Sequence, residues 1–421
     1  MSNVIEYSFV SDVVSPGDQA GVAEVVRGAQ DARRPVYPLG GQTALDYGIA
    51  PTRPGIGLDL AGLAKIVDYT PRDMTILVEA GVRMEELVAT LAAEGQHLPI
   101  DVPRAAEATI GGVVATNWTG PRRLGHGTVR DYVIGIHAVD GRGVPFKGGG
   151  RVVKNVAGYD FCKLLCGSLG TLGVITQLAL KVKPQPEQSA TVVAASPDLD
   201  AAERMLSRLA QLEAPPVAVD LLMGDGWPLE ATIRNSKFES KNLLAVAVRI
   251  EGTEPEIAWL VDRVQQELRS AGGMAVRLLE MQEANILWAR QIEFADRGPG
   301  EIADNSPMVL KIAVPPSATI SILAELLQFN AAAAIQAHAG NGIILVRFSQ
   351  FNPSDLTGVL VSKLRPAAVR LGGSLVILSS TLEGLTPHLI WGGRTEAQVL
   401  AERIKQKFDP PNILNPGRFP Y

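Results

Sequence analysis

The chain has 421 residues, 46% hydrophobic and 20% charged, with 39 basic against 44 acidic side chains and a formal net charge of −5. That balance belongs to a folded protein and, with no basic block, excludes a nucleic-acid backbone as the expected partner. Its length exceeds what one core serves, so two domains are expected, and only two cysteines, Cys162 and Cys166, exclude a disulfide framework and fit a reducing compartment.

The first ten residues show no basic segment followed by an apolar one, so no signal peptide is read. Residues 18–34 predict a helix with an apolar face of Ala20, Val22, Val25, Val26 and Ala29, ended by Pro35. A strand over 36–39 runs directly into Pro38-Leu-Gly-Gly-Gln-Thr43. Met84, Leu87, Val88 and Leu91 predict a helix over 84–94, stopped by Gly95. Between Gly111 and Gly173 lie 15 glycines in 63 residues, where average usage of about 7% gives four or five. Such density suits main chain that approaches a large ligand closely, with consecutive N–H groups forming a concave anion site. Short β-like runs, 133–139 and 174–182, alternate with these turns. Cys162 and Cys166 read as buried thiols, since a cluster needs about four ligands.

Lys183-Pro-Gln-Pro186 predicts an extended connector. Beyond it the pattern is strand, helix, strand: 190–195, 201–212, 217–222, then 243–250, 255–270 and 275–279. The same order returns at 308–314, 318–329, 333–336, 343–348, 354–371 and 374–378, which predicts antiparallel sheet covered by helices on one side, with a duplicated unit. The longest uncharged run, 326–346, contains Gln328, Asn330, Gln336, His338 and Asn341 and is not a membrane span.

No P-loop, no strand-linked G-x-G-x-x-G, no G-x-S-x-G and no H-E-x-x-H occurs; the relaxed match at 298–303 lacks a preceding strand. The five histidines lie too far apart for a local metal motif, so no metal is expected.

Three ordered phrases resemble the FAD-binding domain of the vanillyl-alcohol oxidase, or p-cresol methylhydroxylase, type. Pro38-Leu39-Gly40-Gly41-Gln42-Thr43 resembles its pyrophosphate loop. Thr109-Ile110-Gly111-Gly112 with Ala115-Thr116-Asn117, Gly120, Gly127, Arg130-Asp131 and Gly135 resembles its second flavin-contacting stretch. Gly158-Tyr-Asp160 through Gly167-Ser168-Leu-Gly170-Thr171-Leu-Gly173-Val174-Ile175-Thr176 resembles the stretch that closes the domain. Val153–Asp160 and the tail 408–419, with Asn415, are similar to the glycolate oxidase and D-lactate dehydrogenase branch, and the short C-terminal half to the smaller FAD-binding subunits of bacterial glycolate oxidases. The resemblance implies an α+β chain. A p-cresol methylhydroxylase-type FAD domain of two α/β subdomains would occupy 1–184, a ferredoxin-like cap 185–405, and a tail over 406–421 would return to the flavin side.

It also implies oxidation of glycolate to glyoxylate, with electrons leaving through FAD to an iron–sulfur partner beside a second flavin subunit. The expected setting is cytoplasmic, with membrane association only through partners. Glutamine at 42 cannot form the covalent flavin bond that histidine makes in other members, so noncovalent FAD is expected. Catalytic members continue from a His-Ala-Gly-like phrase to a second histidine and a later Glu-His segment. Here His338-Ala-Gly-Asn-Gly342 is followed by Ile343-Ile-Leu-Val346, and neither companion exists. His338 remains the one candidate base, and an electron-transfer or assembly role is favoured over independent turnover. The alternatives are a self-sufficient D-lactate-like dehydrogenase and a flavin-free structural subunit. Arg122, Arg123 and Arg130 are candidates for pairing with phosphate or a partner's carboxylates, and Trp227, Trp288 and Trp391 for lining a cap pocket, with core packing the commoner role.

Overall fold

The computed structural model describes residues 9–150, 158–224, 227–229, 244–296, 308–329, 333–348, 351 and 355–421. The resemblance carried by 153–157, the relaxed match at 298–303 and the expected helix start at 354 therefore lie outside the described residues. Contacts divide the chain into two compact units: 1–119, 128–185 and 393–421 form one, and 120–127 with 186–392 the other.

The first unit holds two sheets. Strands β1 (Val10–Val14), β2 (Val36–Leu39) and β3 (Gly55–Asp59) pair in parallel in the order β1-β3-β2. The helix Gln19–Asp31 starts where the Asp18 carboxylate accepts from the Gly21 N–H at 2.8 Å. Its Val22, Ala23, Val26 and Ala29 pack on Val36, Ile56 and Leu58. Strands β4 (Ile66–Thr70), β5 (Thr75–Glu79), β7 (Val133–Val139), β8 (Pro145–Gly149) and β9 (Val174–Lys181) form an antiparallel sheet ordered β4-β5-β9-β7-β8. The two-residue strands β6 (Gln96–His97) and β10 (Lys183–Pro184) pair separately. The helices Met84–Ala92 and Ile110–Thr116 bury Leu87, Leu91, Ile110, Val113 and Val114 in the core of the antiparallel sheet.

The tail differs from expectation. It joins the first unit from 393 rather than 406, because the helix Glu396–Phe408 packs there. Phe408 meets Phe146 and Phe161, and the buried Lys405 Nζ donates to Asp409 Oδ2 (2.6 Å), Thr171 O (2.8 Å) and Leu414 O (2.9 Å). Amphipathic spacing shows that a helix has a buried face but not which core receives it.

The second unit is built on one antiparallel sheet of eight strands. They are β11 (Gln188–Ala195), β12 (Ala218–Met223), β13 (Leu244–Gly252), β14 (Met274–Leu278), β15 (Met308–Ala313), β16 (Ala334–His338), β17 (Ile343–Phe348) and β18 (Ser374–Ser380). The order β14-β11-β13-β12-β16-β17-β15-β18 is two ferredoxin-like β-α-β-β-α-β units joined edge to edge through β12 and β16. Joining them removes one exposed edge from each. The helix expected over 354–371 is a π-helical stretch, Leu356–Leu364, running into an α-helix, Arg365–Arg370. Pro366 has no N–H to give to an α-helical bond, and the Arg365 N–H bonds five residues back, to Leu360 O. Among the described residues no helix is long and apolar enough to cross a membrane.

Candidate functional site

The first unit contains a cleft of about 1020 Å³, counting the open solvent at its mouth. Three stretches contribute to its walls: the turn after β2, the helix Ile110–Thr116 with its approach, and the turn before β9. Gly40 and Gly41 follow β2 against the strand-like approach of residues 107–109. A Cβ on Gly40 would collide with Thr109 Oγ1, and one on Gly41 with the Glu107 carbonyl. Thr109 caps the helix by accepting from the Gly112 N–H. A Cβ on Gly111 would meet Ala80 at 2.7 Å. These glycines are therefore required first by the chain's own packing, and not, as glycine density suggested, by the ligand alone. Their small size lets the backbone segments close and leaves the cleft lined with main chain.

Of the expected cofactor contacts, Pro38, Gly40, Gly41, Gln42, Thr43, Thr109, Gly111, Gly112, Ala115, Thr116, Gly170, Gly173, Ile175 and Asn415 line this cleft. The others do not. Leu39, Ile110 and Val174 are fully buried in the cores. Gly120 belongs with the second unit. Thr171 turns its hydroxyl to Ser168 O (2.6 Å) and Tyr421 Oη (2.9 Å). Asn117, Gly167 and Ser168 are not among the lining residues; a Cβ on Gly167 would lie 3.2 Å from the Asn117 Cβ. The cleft also has walls that glycine counting could not find: Leu45, Tyr47, Val102, Pro103, Trp118 and Arg418 among them. Arg418 is buried, and its Nη1 donates to the Leu45 and Tyr47 carbonyls, both at 2.7 Å, which fixes the turn after the glycine pair.

Two observations test whether a flavin dinucleotide fits. Gln42 Oε1 and Trp118 Nε1, both on residues of the wall, are buried polar atoms without a hydrogen-bond partner among the described residues, an arrangement that costs free energy unless a ligand supplies one. Gln42 (φ 57°), Asn117 (φ 51°), Leu169 (φ 52°) and Asn415 (φ 40°) hold left-handed backbone around the same cleft, and such strain concentrates at ligand sites. The residues present fit FAD.

Arg122 is absent from the cleft. With the short helix Arg123–His126 it belongs to the second unit, where the Gly125 N–H donates to Val217 O at 3.0 Å. Glu251 there receives Arg122 (3.3 Å), His126 (2.9 Å) and Arg249 (2.9 Å). Burial opposes ionisation of Glu251, but those partners together outweigh it and hold the carboxyl at about 2.

His338 ends β16 opposite Asp220 on β12, and its Nδ1 lies 2.9 Å and 3.1 Å from the two Asp220 oxygens, both side chains being buried. Gln336 donates to the same carboxylate at 3.1 Å. This pairing leaves Nε2 of the imidazole for other work. Among the described residues no group of three or more His, Cys, Asp or Glu side chains is arranged to hold a metal ion. Trp227 stacks on Phe294 at 4.9 Å, and Trp288 donates to Thr191 Oγ1 at 2.8 Å, both as core residues. Cys162 and Cys166 are free; burial pushes their thiols to about 11 and about 12.

A backbone-lined dinucleotide cleft followed by a duplicated antiparallel sheet defines a two-domain flavoprotein oxidoreductase. Residues 10–148 match the FAD binding domain, and 185–376 the C-terminal domain of FAD-linked oxidases. The chain belongs to the FAD-linked oxidoreductases and its cofactor is FAD. It is 24% identical over 423 residues to glycolate oxidase subunit GlcD of Bacillus subtilis, covering 98% of this chain and 90% of that one. It is 27% identical over 425 residues to the mitochondrial D-lactate dehydrogenase (cytochrome) of Arabidopsis thaliana, covering 96% and 72%. Over 136 residues it is 43% identical to glycolate oxidase subunit GlcE of Escherichia coli, covering 32% and 39%. A solved alkyldihydroxyacetonephosphate synthase superposes with a TM-score of 0.71 at 19% identity, over 96% of this chain and 76% of that one, and shares the fold.

Proposed function

We propose that the chain is the FAD-binding subunit of a glycolate-oxidising complex, which converts glycolate to glyoxylate and passes the electrons through its flavin to an iron–sulfur partner. The observation that carries this reading is the cleft. Its main-chain lining and unpartnered polar atoms suit noncovalent FAD, and the 43% identity to a glycolate oxidase subunit runs over 136 residues. The lining residues named above would hold FAD, and the N–H groups around Gly40, Gly41 and Gln42 would supply donors for its pyrophosphate.

FAD, when bound, supplies the two-electron acceptor for a hydride. The substrate gives up its carbinol hydrogen with the electron pair and its hydroxyl proton to a base. His338 has the chemistry of that base, since Asp220 at Nδ1 fixes the ring and leaves Nε2 as acceptor. The missing second histidine and Glu-His segment favour a chain that works beside a catalytic flavin subunit. The test is the visible spectrum of purified protein before and after anaerobic glycolate, with FAD assayed in the supernatant after acid precipitation. Released FAD with no bleaching in the isolated chain, and bleaching once partner subunits are added, is the expected result. Absence of flavin after reconstitution would overturn the assignment. Bleaching with D-lactate in preference to glycolate favours the second reading, a self-sufficient D-lactate-like dehydrogenase, which the near-full-length similarity to such enzymes supports.

A further inference from the structure

The stretch 409–421 ties two walls of the flavin cleft to each other. At the parallel sheet, the Val36 N–H donates to Ile413 O (2.8 Å) and the Asn415 N–H to Val36 O (3.0 Å), so that Leu414 pairs with Val36 along β2. Arg418 holds the Leu45 and Tyr47 carbonyls in the turn that follows β2. At the antiparallel sheet, Asn415 Nδ2 donates to Leu169 O (2.7 Å) in the turn before β9. Tyr421 Oη lies 2.9 Å from Thr171 Oγ1 in the same turn. Thr171 gives its single hydroxyl proton to Ser168 O, so Tyr421 is the donor of that bond. The two turns follow strands of different sheets, and both line the cleft.

Lys405 gathers these ties at one atom, although it is not a lining residue. Its buried Nζ donates to Thr171 O of the turn before β9, to Leu414 O of the tail and to Asp409 Oδ2. The Asp409 carboxylate accepts in turn from the Ile413 and Leu414 N–H groups, which shapes the tail where it meets β2. Docking the tail also has costs. Burial disfavours the Lys405 ammonium, and only Asp409 opposes that effect. Leu169 and Asn415, which bond to each other, both hold left-handed backbone (φ 52° and 40°), a conformation unfavourable for leucine above all. Gln42 Oε1 and Trp118 Nε1 stay unpartnered in the closed cleft. A cofactor that fills the cleft offsets these costs, and the tail's bonds alone oppose them when it is absent.

We propose that 409–421 is a clasp whose docking and FAD binding form one linked equilibrium, with Lys405 the positioning residue that couples them from outside the cleft. FAD binds the clasped form, and each event strengthens the other by the same factor. The inference rests on FAD as the cofactor and holds whichever substrate the flavin oxidises. The experiment uses the full chain, stripped of FAD and titrated with it. Affinity is read from the change in flavin fluorescence. Docking is read from hydrogen–deuterium exchange of peptides covering 409–414, none of which lines the cleft, with peptides of the eight-stranded sheet as reference. In the wild type, FAD should slow exchange at Ile413 and Leu414 far more than in that sheet. Lys405→Met should bind FAD about tenfold more weakly. Its 409–414 peptides should exchange fast without FAD and slowly at saturation. Tyr421→Phe, which removes one hydroxyl, should weaken FAD about fivefold and decides the matter if Lys405→Met does not fold. Wild-type FAD affinity in a folded variant would leave Lys405 and the tail a structural role only and would overturn the proposal. Exchange over 409–414 that FAD does not change in the wild type overturns it as well.

Discussion

The two units make polar sites by opposite means. In the first, main-chain packing sets the cleft's shape: glycines at 40, 41 and 111 let backbone segments meet, and residues such as Gln42, Tyr47, Val102 and Trp118 complete the lining. In the second, the sheet face is side chain: Asp220, His338, Gln336, Lys311, Arg249 and Glu251 project from strands whose other face is buried hydrocarbon. A backbone site is set by close packing and tolerates no added atom. A side-chain site is set by register and charge, and can be retuned one residue at a time.

The largest effect that would test this difference is at the glycine pair. Gly41→Ala places a methyl group against the Glu107 carbonyl, and overpacking of this kind costs about 1–3 kcal/mol or more. The variant is expected to lose FAD on gel filtration, where a side-chain site would merely weaken. FAD retained at wild-type stoichiometry would refute a cleft shaped by backbone closure.

Next is the buried Lys405. Lys405→Met leaves Asp409 with only the Ile413 and Leu414 N–H groups (3.1 and 2.8 Å) and frees the Thr171 and Leu414 carbonyls. Breaking a buried pair costs about 3–5 kcal/mol, so urea unfolding of the first unit should shift to a lower midpoint. An unchanged midpoint would remove the tail from the elements that hold the cleft.

Acid should act on the second unit. The folded carboxyl of Glu251 sits at about 2, against an ordinary 4.5. Its stabilisation is present above the ordinary value and is lost as pH falls from there towards 2. The shift corresponds to about 3 kcal/mol. Glu251→Gln should abolish that part of the acid dependence in thermal melts, and would leave Arg122, Arg249 and His126 without their common partner. A variant that keeps the same acid profile would place the sensitivity elsewhere.

The smallest effect concerns the thiols. With Cys162 and Cys166 held at about 11 and about 12 by burial, native protein at pH 8 should react with iodoacetamide far more slowly than denatured protein. Matching rates would show that the helix Phe161–Leu165 opens freely.

Much of this was legible in the chain. The three glycine phrases marked the cleft because only a few residue types permit such close approach, and the alternation of strands and helices beyond the Lys183–Pro186 connector marked the duplicated sheet. Legibility failed where contacts are made at long range. Trp118 and Arg418 carry no local signal, and Arg418 acts on a turn more than 370 residues away. Leu39, Ile110 and Val174 sit inside the right phrases but alternate away from the cleft into the cores, as strand and helix periodicity requires.

By itself the sequence determined the family, the cofactor class and the order of elements, since composition, periodicity and glycine placement act locally. Only the tertiary structure decided that the glycines answer first to the chain's own backbone and that the helix Glu396–Phe408 belongs with the first unit. It alone also showed that His338 meets Asp220. The register of strands distant in sequence sets which charges meet, and no local pattern encodes that register.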